Sequence, residues 1–365
     1  MLMSLRLNNF SVFSNALFEF SPGLNVIIGE NGTGKSHLLK LAYVLAYIRH
    51  EAGLAYRAEP LGKPPQGGGK ATIQRRIAEK LVGVFKPDAL GRLCRRFQGR
   101  SKAEVLSIFS HNPSELLPSD SLGFSFATNS TREVTLIKRT DNPPCDAPIF
   151  FPANEVLSIY PGFASLYEQR ELTIDETYYD LCKLLSGPLL RGQRTHEISN
   201  VVEPLESIMG GKVRLEAGRF YLYLPGQGRM EIALVAEGIR KVAMLAYLAS
   251  NGSLGEKGML FWDEPETNLN PRIMAKIAAT LGQLAMKGIQ VFVATHSLFL
   301  MKEMSLLVER SHKEIPARFF SLVLTEEEVS MEMGEILEDL KTIAALDETL
   351  SQDDREQEFL LMENT

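Results

Sequence analysis

Cysteine is scarce in this chain, and the three present, Cys94, Cys145 and Cys182, are odd in number and widely spaced. That excludes a disulfide framework and the paired spacing of a zinc knuckle, and it fits thiols kept reduced in the cytoplasm. Long apolar runs are also missing. The stretch 41–48 falls far short of the roughly 20 residues needed to span a bilayer, so no membrane role is expected. Residues 1–10 lack the basic start, apolar core and cleavage site of a signal peptide. An excess of basic charge is absent as well: 39 Lys and Arg stand against 45 Asp and Glu, a net charge of -6. The chain is therefore not basic throughout, although a local basic face remains open. Hydrophobic residues at 45% and charged residues at 23% exclude wholesale disorder. A length of 365 residues suggests about two lobes. No internal repeat is visible.

Apolar residues alternate through Leu5, Leu7 and Phe10 and again through Ala16, Phe18 and Phe20, as strands do. A β-branched run at 24–28 predicts a buried strand, followed by a glycine-rich loop and a helix over 35–49. Proline and glycine over 58–69 read as a linker, and 71–110 has the composition of a basic helical insertion. Strands are expected at 123–128 and 133–138 as a hairpin, and again at 148–151. Helices are expected within 161–209, strands at 212–215, 219–224 and 230–235, and a helix from Gly238. The final third alternates strand and helix at 259–262, 271–286, 290–294, 298–306 and 319–324. Such alternation predicts a largely parallel sheet with helices on its faces. An acidic, partly helical tail follows from Glu326.

Gly29, Glu30, Asn31, Gly32, Thr33, Gly34, Lys35 and Ser36 match the P-loop (Walker A) pattern in full, after a strand and before a helix. Glycine lets the backbone wrap so that successive N–H groups face phosphate oxygens, and the helix N-terminus adds positive potential. Lys35 bridges the terminal phosphates of ATP, and Ser36 supplies an oxygen to Mg2+. His37 is counted with the nucleotide contacts, although a surface or core role is the default for it, as for His50, His111, His196 and His312. The run 259–264 is an apolar strand ending in two acids (Walker B), at the sheet edge where ligands gather. Asp263 would hold the metal and Glu264 would act as general base. The strand 291–295 ends at His296, which either reaches the γ-phosphate and water or is a plain surface or core histidine.

These segments together, Gly29 to Ser36, the Asp-Glu-Pro-Glu-x-Asn-Leu-Asn-Pro run from Asp263 to Pro271, and Thr295-His296-Ser297, resemble the ABC-superfamily ATPase heads of the RecF, SMC and OLD branch. The resemblance implies an α/β P-loop NTPase fold, an ABC-type head with a mixed sheet, antiparallel β hairpins and helical insertions. It implies a homodimer that sandwiches ATP, with Asn268 among the nucleotide contacts. It also implies a signature loop over the partner's ATP, placed here at Ala236, Glu237 and Gly238. Ala236 stands where serine is usual, which removes one hydroxyl, while Arg240 or Lys241 could supply charge in trans. The same residues also read as an ordinary helix start. A loop that senses magnesium falls at Asn154 or Glu155, and each could equally cap the next helix.

One head is thus expected over 1–365, made of a P-loop lobe (1–57), the linker and basic insertion (58–118), strands and the magnesium-sensing loop (119–157), a helical lobe and hairpin (158–229), the signature, Walker B and histidine part (230–325) and the acidic tail (326–365). Only about 40 residues follow the last strand, so a nuclease domain of the OLD kind is not expected, and effector activity would come from another chain. Stand-alone heads of this type resemble the ATPase components of bacterial anti-phage defence modules. A RecF-like role in DNA repair or recombination, or a nucleotide clamp with negligible turnover, are the alternatives. Between Lys70 and Lys102 the charge is +8, leaving -14 for the rest. Such segregation fits nucleic acid or an acidic partner; a solvated helical face, or a mate for the acidic tail, fits it equally.

Overall fold

The computed structural model describes the chain except residues 58–68, 96–98, 111–119, 140–144, 193, 256–257, 313, 326–327 and 364–365. Period-two burial sets the first hairpin. β1 (Leu2–Phe10) buries Leu2, Leu5, Leu7 and Phe10 and pairs antiparallel with β2 (Phe13–Glu19). β3 (Leu24–Gly29) is buried almost throughout and belongs to a second sheet. It feeds α1 (Lys35–Arg57), which runs past the end expected near Arg49, with no proline between Lys35 and Pro60 to stop it.

α2 (Lys70–Phe85) realises the first half of the expected helical insertion. The second half is not helical. After a 3-10 turn at Leu90–Leu93, β4 (Lys102–Phe109) lies between β1 and β5 (Asp120–Ala127), and β6 (Thr135–Arg139) completes a five-stranded antiparallel sheet of order β2-β1-β4-β5-β6. Ala103, Val105, Ser107 and Phe109 are buried while the residues between them are not, a strand period that the basic composition around it conceals. The expected linker lies outside the described residues except for Gly69, which caps α2.

β7 (Ile149–Phe151) is followed by α3 (Tyr160–Gln169), α4 (Glu176–Leu185) and α5 (His196–Met209). β8 (Lys212–Glu216), β9 (Arg219–Leu224) and β10 (Gly228–Glu231) form a three-stranded antiparallel sheet. The strand expected over 230–235 stops early, in a 3-10 turn at Ile232–Leu234 that leads to α6 (Glu237–Ser250). The remainder alternates as expected: β11 (Met259–Asp263), α7 (Pro271–Met286), β12 (Gln290–Thr295), α8 (Leu298–Arg310) and β13 (Ala317–Leu324). β14 (Val329–Gly334) and α9 (Ala344–Glu363) end the chain.

The central sheet has the order β14-β13-β3-β12-β11-β7 and is parallel except for β14. One face buries Phe261, Phe292 and Phe320 against Phe18 and Phe20 of the antiparallel sheet. The other buries Val26, Trp262 and Val293 among residues of α6, α7 and α8. With both faces covered, the strands can be apolar end to end, and polar chemistry is left to the edge where β3, β12, β11 and β7 all finish. Among the described residues no helix is long and apolar enough to cross a membrane.

Candidate nucleotide site

The P-loop turns on glycines with left-handed backbone, Gly32 at φ +85 and Gly34 at φ +89. At Gly34 a side chain is also barred by contact, since a Cβ there would lie 2.6 Å from Val12 Cγ2 in the β1–β2 turn. Thr33 points inward and donates to Glu30 O at 2.8 Å, curling the loop from within. Lys35 Nζ donates to Gly29 O at 2.7 Å and to Glu30 O at 2.8 Å, so its ammonium sits inside the loop it serves. Burial lowers the Lys35 pKa, against the nearby carboxylates Glu264 and Asp263.

Ser36 Oγ donates to Asp263 Oδ1 at 3.0 Å, joining the loop after β3 to the end of β11 across 227 positions of sequence. Burial pushes the Asp263 carboxyl up to about 6; Glu264 adds to the rise, and the Ser36 hydrogen bond with Lys40 and Lys35 opposes it. Glu264 follows at φ +47, a strained backbone for a residue with a side chain, and its N–H is held by Ala294 O at 2.9 Å. His296 Nδ1 lies 3.6 Å from Glu264 Oε1 and 3.4 Å from Glu266 Oε1, with its side chain half exposed. The structure thus brings Lys35, Ser36, Asp263, Glu264 and His296 to one edge.

Glu266 is the residue that sequence reasoning left without a role. It is buried, and its Oε1 accepts from Thr295 Oγ1 at 2.6 Å, His296 N at 3.0 Å and Ser297 N at 3.2 Å. It therefore fixes the backbone of the histidine loop. A second acid two residues after Glu264, in a motif whose neighbours are apolar or turn-forming, was the available signal.

The signature segment departs from expectation in its charges. Ala236 is the exposed N-cap of α6, with no side-chain cap, and Glu237 opens the helix. Gly238 faces inward: a Cβ would meet Asn268 O at 2.5 Å and Leu269 Cδ2 at 2.6 Å of its own chain. Neither basic residue is offered to a partner. Arg240 pairs with Glu155 at 2.8 Å and donates to Val235 O at 3.0 Å. Lys241 is fully buried, with Nζ donating to Glu264 O at 3.4 Å. Burial depresses its pKa, against Glu237, Glu266 and Glu264. Charge in trans from Arg240 or Lys241 is thereby corrected. Each is consumed in cis, because a cation this deep needs a partner in its own subunit.

Glu155 accepts from Ser158 N at 3.1 Å in the turn before α3 and pairs with Arg240; α3 itself is capped at Ile159 with no side-chain cap, so Glu155 does not cap it. Asn154 is exposed just past β7, the neighbour of β11, and shares a hydrogen bond with Tyr178 of α4. Asn268 is exposed at φ +62 beside Gly238. His37 turns away from the phosphate loop, hydrogen-bonded with Ser11 and edge-on to Phe85, and burial lowers its pKa. It lines a pocket of ≈ 400 Å³ with Val12, Arg92, Cys94 and Val329. A second pocket of ≈ 280 Å³ runs along Gly29, Glu30 and Asn31 past His296 to Ala344 and Glu348 of α9.

The basic insertion offers less free charge than its sequence promises. Arg76 pairs with Glu51 and Glu79, Arg75 with Glu79 and Lys102 with Glu104. Lys80 is buried between Glu176 at 2.9 Å and Asp180, and over the Tyr47 ring. Lys86 stacks on Tyr167. Glu79 and Glu104 act locally, and Glu51 on α1 and Glu176 and Asp180 on α4 reach in from distant sequence. Arg96 lies outside the described residues.

A P-loop, an acidic strand end and a histidine loop on one edge of a parallel sheet, flanked by an antiparallel sheet and a helical lobe, have the architecture of a P-loop head of the ABC superfamily, and the chain resembles the RecF/SMC type. Comparison with known proteins agrees. Residues 183–302 match a family model described as "AAA domain, putative AbiEii toxin, Type IV TA system" and residues 4–41 one described as "AAA domain". The chain is similar to the DNA replication and repair protein RecF of Pediococcus pentosaceus, 44% identical over 48 residues, 13% of each chain. It is 29% identical to RecF of Salmonella arizonae over 115 residues, 32% of this chain and 30% of the relative. The matched stretches span less than a third of either relative. In structure the chain is similar to an Smc head bound to the C-winged helix domain of ScpA, with TM-score 0.56 and 13% identity over 93% of this chain and 99% of that one. An Smc head with an extended coiled coil, bound to the C-terminal domain of ScpA from Pyrococcus furiosus, gives 0.51 and 11% over 98% and 99%.

Proposed function

We propose that this chain binds ATP with magnesium, dimerises around it and hydrolyses it to control a separate effector. The observation that carries the reading is the Ser36–Asp263 hydrogen bond at 3.0 Å with Glu264 next in line. It sets a hydroxyl and a carboxylate side by side at the C-terminal edge of the sheet, where an oxygen-seeking divalent cation and a triphosphate fit together. A magnesium ion held there supplies charge neutralisation for the terminal phosphates. Lys35 meets those phosphates as a point charge. Glu264 orients and deprotonates the attacking water, and His296, within 3.6 Å of it, completes the polar wall around the γ-phosphate. The pocket lined by His37, the residue after Ser36, with Val12 and Arg92 takes the base end of the nucleotide.

The Smc neighbours are each bound to a ScpA domain, which supports a head that carries a second protein. The family description that names a toxin system favours a defence module for that partnership. The RecF matches favour the second reading, DNA repair. Phosphate release by purified chain tests the chemistry. Lys35→Ala should abolish ATP binding, and Glu264→Gln should retain it while slowing turnover by about 100-fold or more. Wild-type turnover in Glu264→Gln would leave a nucleotide clamp instead. Co-purification from the native host decides between an effector protein and DNA.

A further inference from the structure

α9 leaves the body beside the nucleotide. Its first turn, Ala344, Ala345 and Glu348, lines the pocket that also holds Gly29–Asn31 and His296. Among the described residues of the helix, Ala345 and Leu346 are the hydrophobic ones that pack on the core; from Asp347 it is exposed almost throughout. At 1.5 Å per residue, 347–362 extends about 24 Å beyond that contact. This arm is acidic, with Asp347, Glu348, Asp353, Asp354, Glu356 and Glu358 against Arg355 alone. It also exposes Leu350 and Phe359, at 54% and 60%. Over 347–359 the helix is polar and carries only a local ion pair, Arg355 with Glu348 at 2.8 Å, so a second surface would add to its stability.

A surface of opposite character lies on β8–β10. The strand registers place Lys212, Arg214, Arg219 and Arg229 on the outward face with Tyr221 and Tyr223, against Glu216 and Glu231. Arg214 lies over the Tyr223 ring at 4.9 Å and Arg229 over the Tyr221 ring at 4.8 Å; Arg229 also donates to Glu216 Oε2 at 3.4 Å, and both side chains stay exposed. The opposite face, Val213, Phe220 and Leu222, is buried. β10 runs directly through the turn at Ile232–Leu234, where Leu234 is 73% exposed, into Ala236 and α6.

These positions become neighbours in a dimer in which the P-loop of one copy faces the signature loop of the other. The inference rests on that ATP-sandwiched reading. We infer that α9 of each copy crosses to lie on the Arg–Tyr face of β8–β10 of the second copy, a reciprocal strap that closes the dimer beside each nucleotide. The geometry is isologous, so one contact forms twice. Its charges are complementary, and Leu350 and Phe359 have Leu234 and the tyrosine rings to cover.

The test uses full-length chain carrying Glu264→Gln, with ATP and magnesium, and light scattering across protein concentration. Asp353→Lys with Asp354→Lys, and separately Arg214→Glu with Arg229→Glu, should each weaken dimerisation at least 10-fold. All four together should restore it to within about threefold, because the pairs are exchanged rather than lost. Affinity of the monomer for a fluorescent ATP analogue and the melting curve should stay unchanged in every variant. Arg214→Ala with Arg229→Ala repeats the test should the reversals melt early. Dimers indifferent to both pairs, or unrescued by the combination, overturn the strap alone. Absence of any ATP-dependent dimer in the Glu264→Gln parent overturns the sandwich reading and the strap with it. Oligonucleotide binding that is lost with Arg214 and Arg229 while dimerisation persists gives the face to nucleic acid and overturns the strap.

Discussion

The ammonium of Lys241 donates to the main-chain carbonyl of Glu264 at 3.4 Å and has no exposure to solvent. Lys241 sits one turn into α6, the helix that begins at the signature loop, and Glu264 is the proposed general base. The bond therefore ties the segment that would meet the partner's nucleotide to the backbone that aims the base at its own.

Lys241→Met should separate this positioning role from a role in folding. A hydrophobic residue of similar volume in place of a buried cation is expected to be near neutral for stability. The Glu264 turn, held at φ +47, loses a restraint, and misplacement of this kind costs about 10-fold to 100-fold in rate. The expected outcome is an unchanged melting temperature, unchanged ATP affinity and a kcat lowered by that factor, read by phosphate release. Equal loss of ATP affinity and kcat would reduce Lys241 to a packing residue.

Asp263 predicts a pH effect on the protein free of nucleotide and magnesium. Its carboxyl is raised from 3.8 to about 6 by burial. Between those values the folded chain holds a proton that the unfolded chain has released, so stability from this group is full below pH 3.8 and is lost as pH rises through about 6. Asp263→Asn removes the loss. At pH 7 the variant should be more stable by about 1–3 kcal/mol, seen as a rise of several degrees in thermal melting, with no hydrolysis. The gain should shrink at pH 5. A variant that melts at or below the parent temperature at pH 7 would contradict the assigned burial.

How much of this was legible depended on whether neighbours in sequence were neighbours in space. The P-loop and the strand ending at Asp263 were readable because each carries its ligands on one strand-to-loop junction, and the parallel sheet was readable from alternation. β4 was hidden because its alternation of Ala103, Val105 and Phe109 begins inside a basic stretch. The pairing of Arg76 with Glu51, and of Lys80 with Glu176 and Asp180, joins separate elements, so no local pattern announces it. The cis engagement of Arg240 by Glu155 is of the same kind. Residues 85 positions apart meet only after the helical lobe folds over β7.

Glu266 should prove to be the support of the histidine loop. Its Oε1 serves three donors, Thr295 Oγ1, His296 N and Ser297 N. Glu266→Ala takes the acceptor from the buried Thr295 hydroxyl and from the His296 amide, while Ser297 N keeps Thr295 Oγ1 at 3.0 Å, at a cost of about 1–3 kcal/mol for an unmet group. Glu266→Gln keeps an acceptor oxygen in place and should retain most of the stability. Thermal melting of the two variants checks this, and hydrogen exchange at the His296 and Ser297 amides should rise in the alanine variant only. Similar melting for alanine and glutamine would mean that the loop holds itself.

Ala236 gives the cleanest way to ask whether the signature loop acts in trans. Gly238 is a poor probe, since any side chain there strikes Asn268 and Leu269 of its own subunit and would disturb the fold before it touched a partner. Ala236 is exposed at the N-cap of α6 and makes no side-chain cap. Serine and aspartate are both good caps, so each should stabilise the isolated monomer by about 1 kcal/mol over alanine. Their effects on the dimer should then diverge. A serine hydroxyl can donate to a phosphate oxygen arriving from the opposite subunit, whereas an aspartate carboxylate repels it. With Glu264→Gln and ATP, Ala236→Ser should tighten the dimer and Ala236→Asp should abolish it, although both melt higher than the parent as monomers. Folding and trans contact are then read from the same two proteins in opposite directions. Dimers of equal strength in the serine and aspartate variants would place the nucleotide out of reach of this loop.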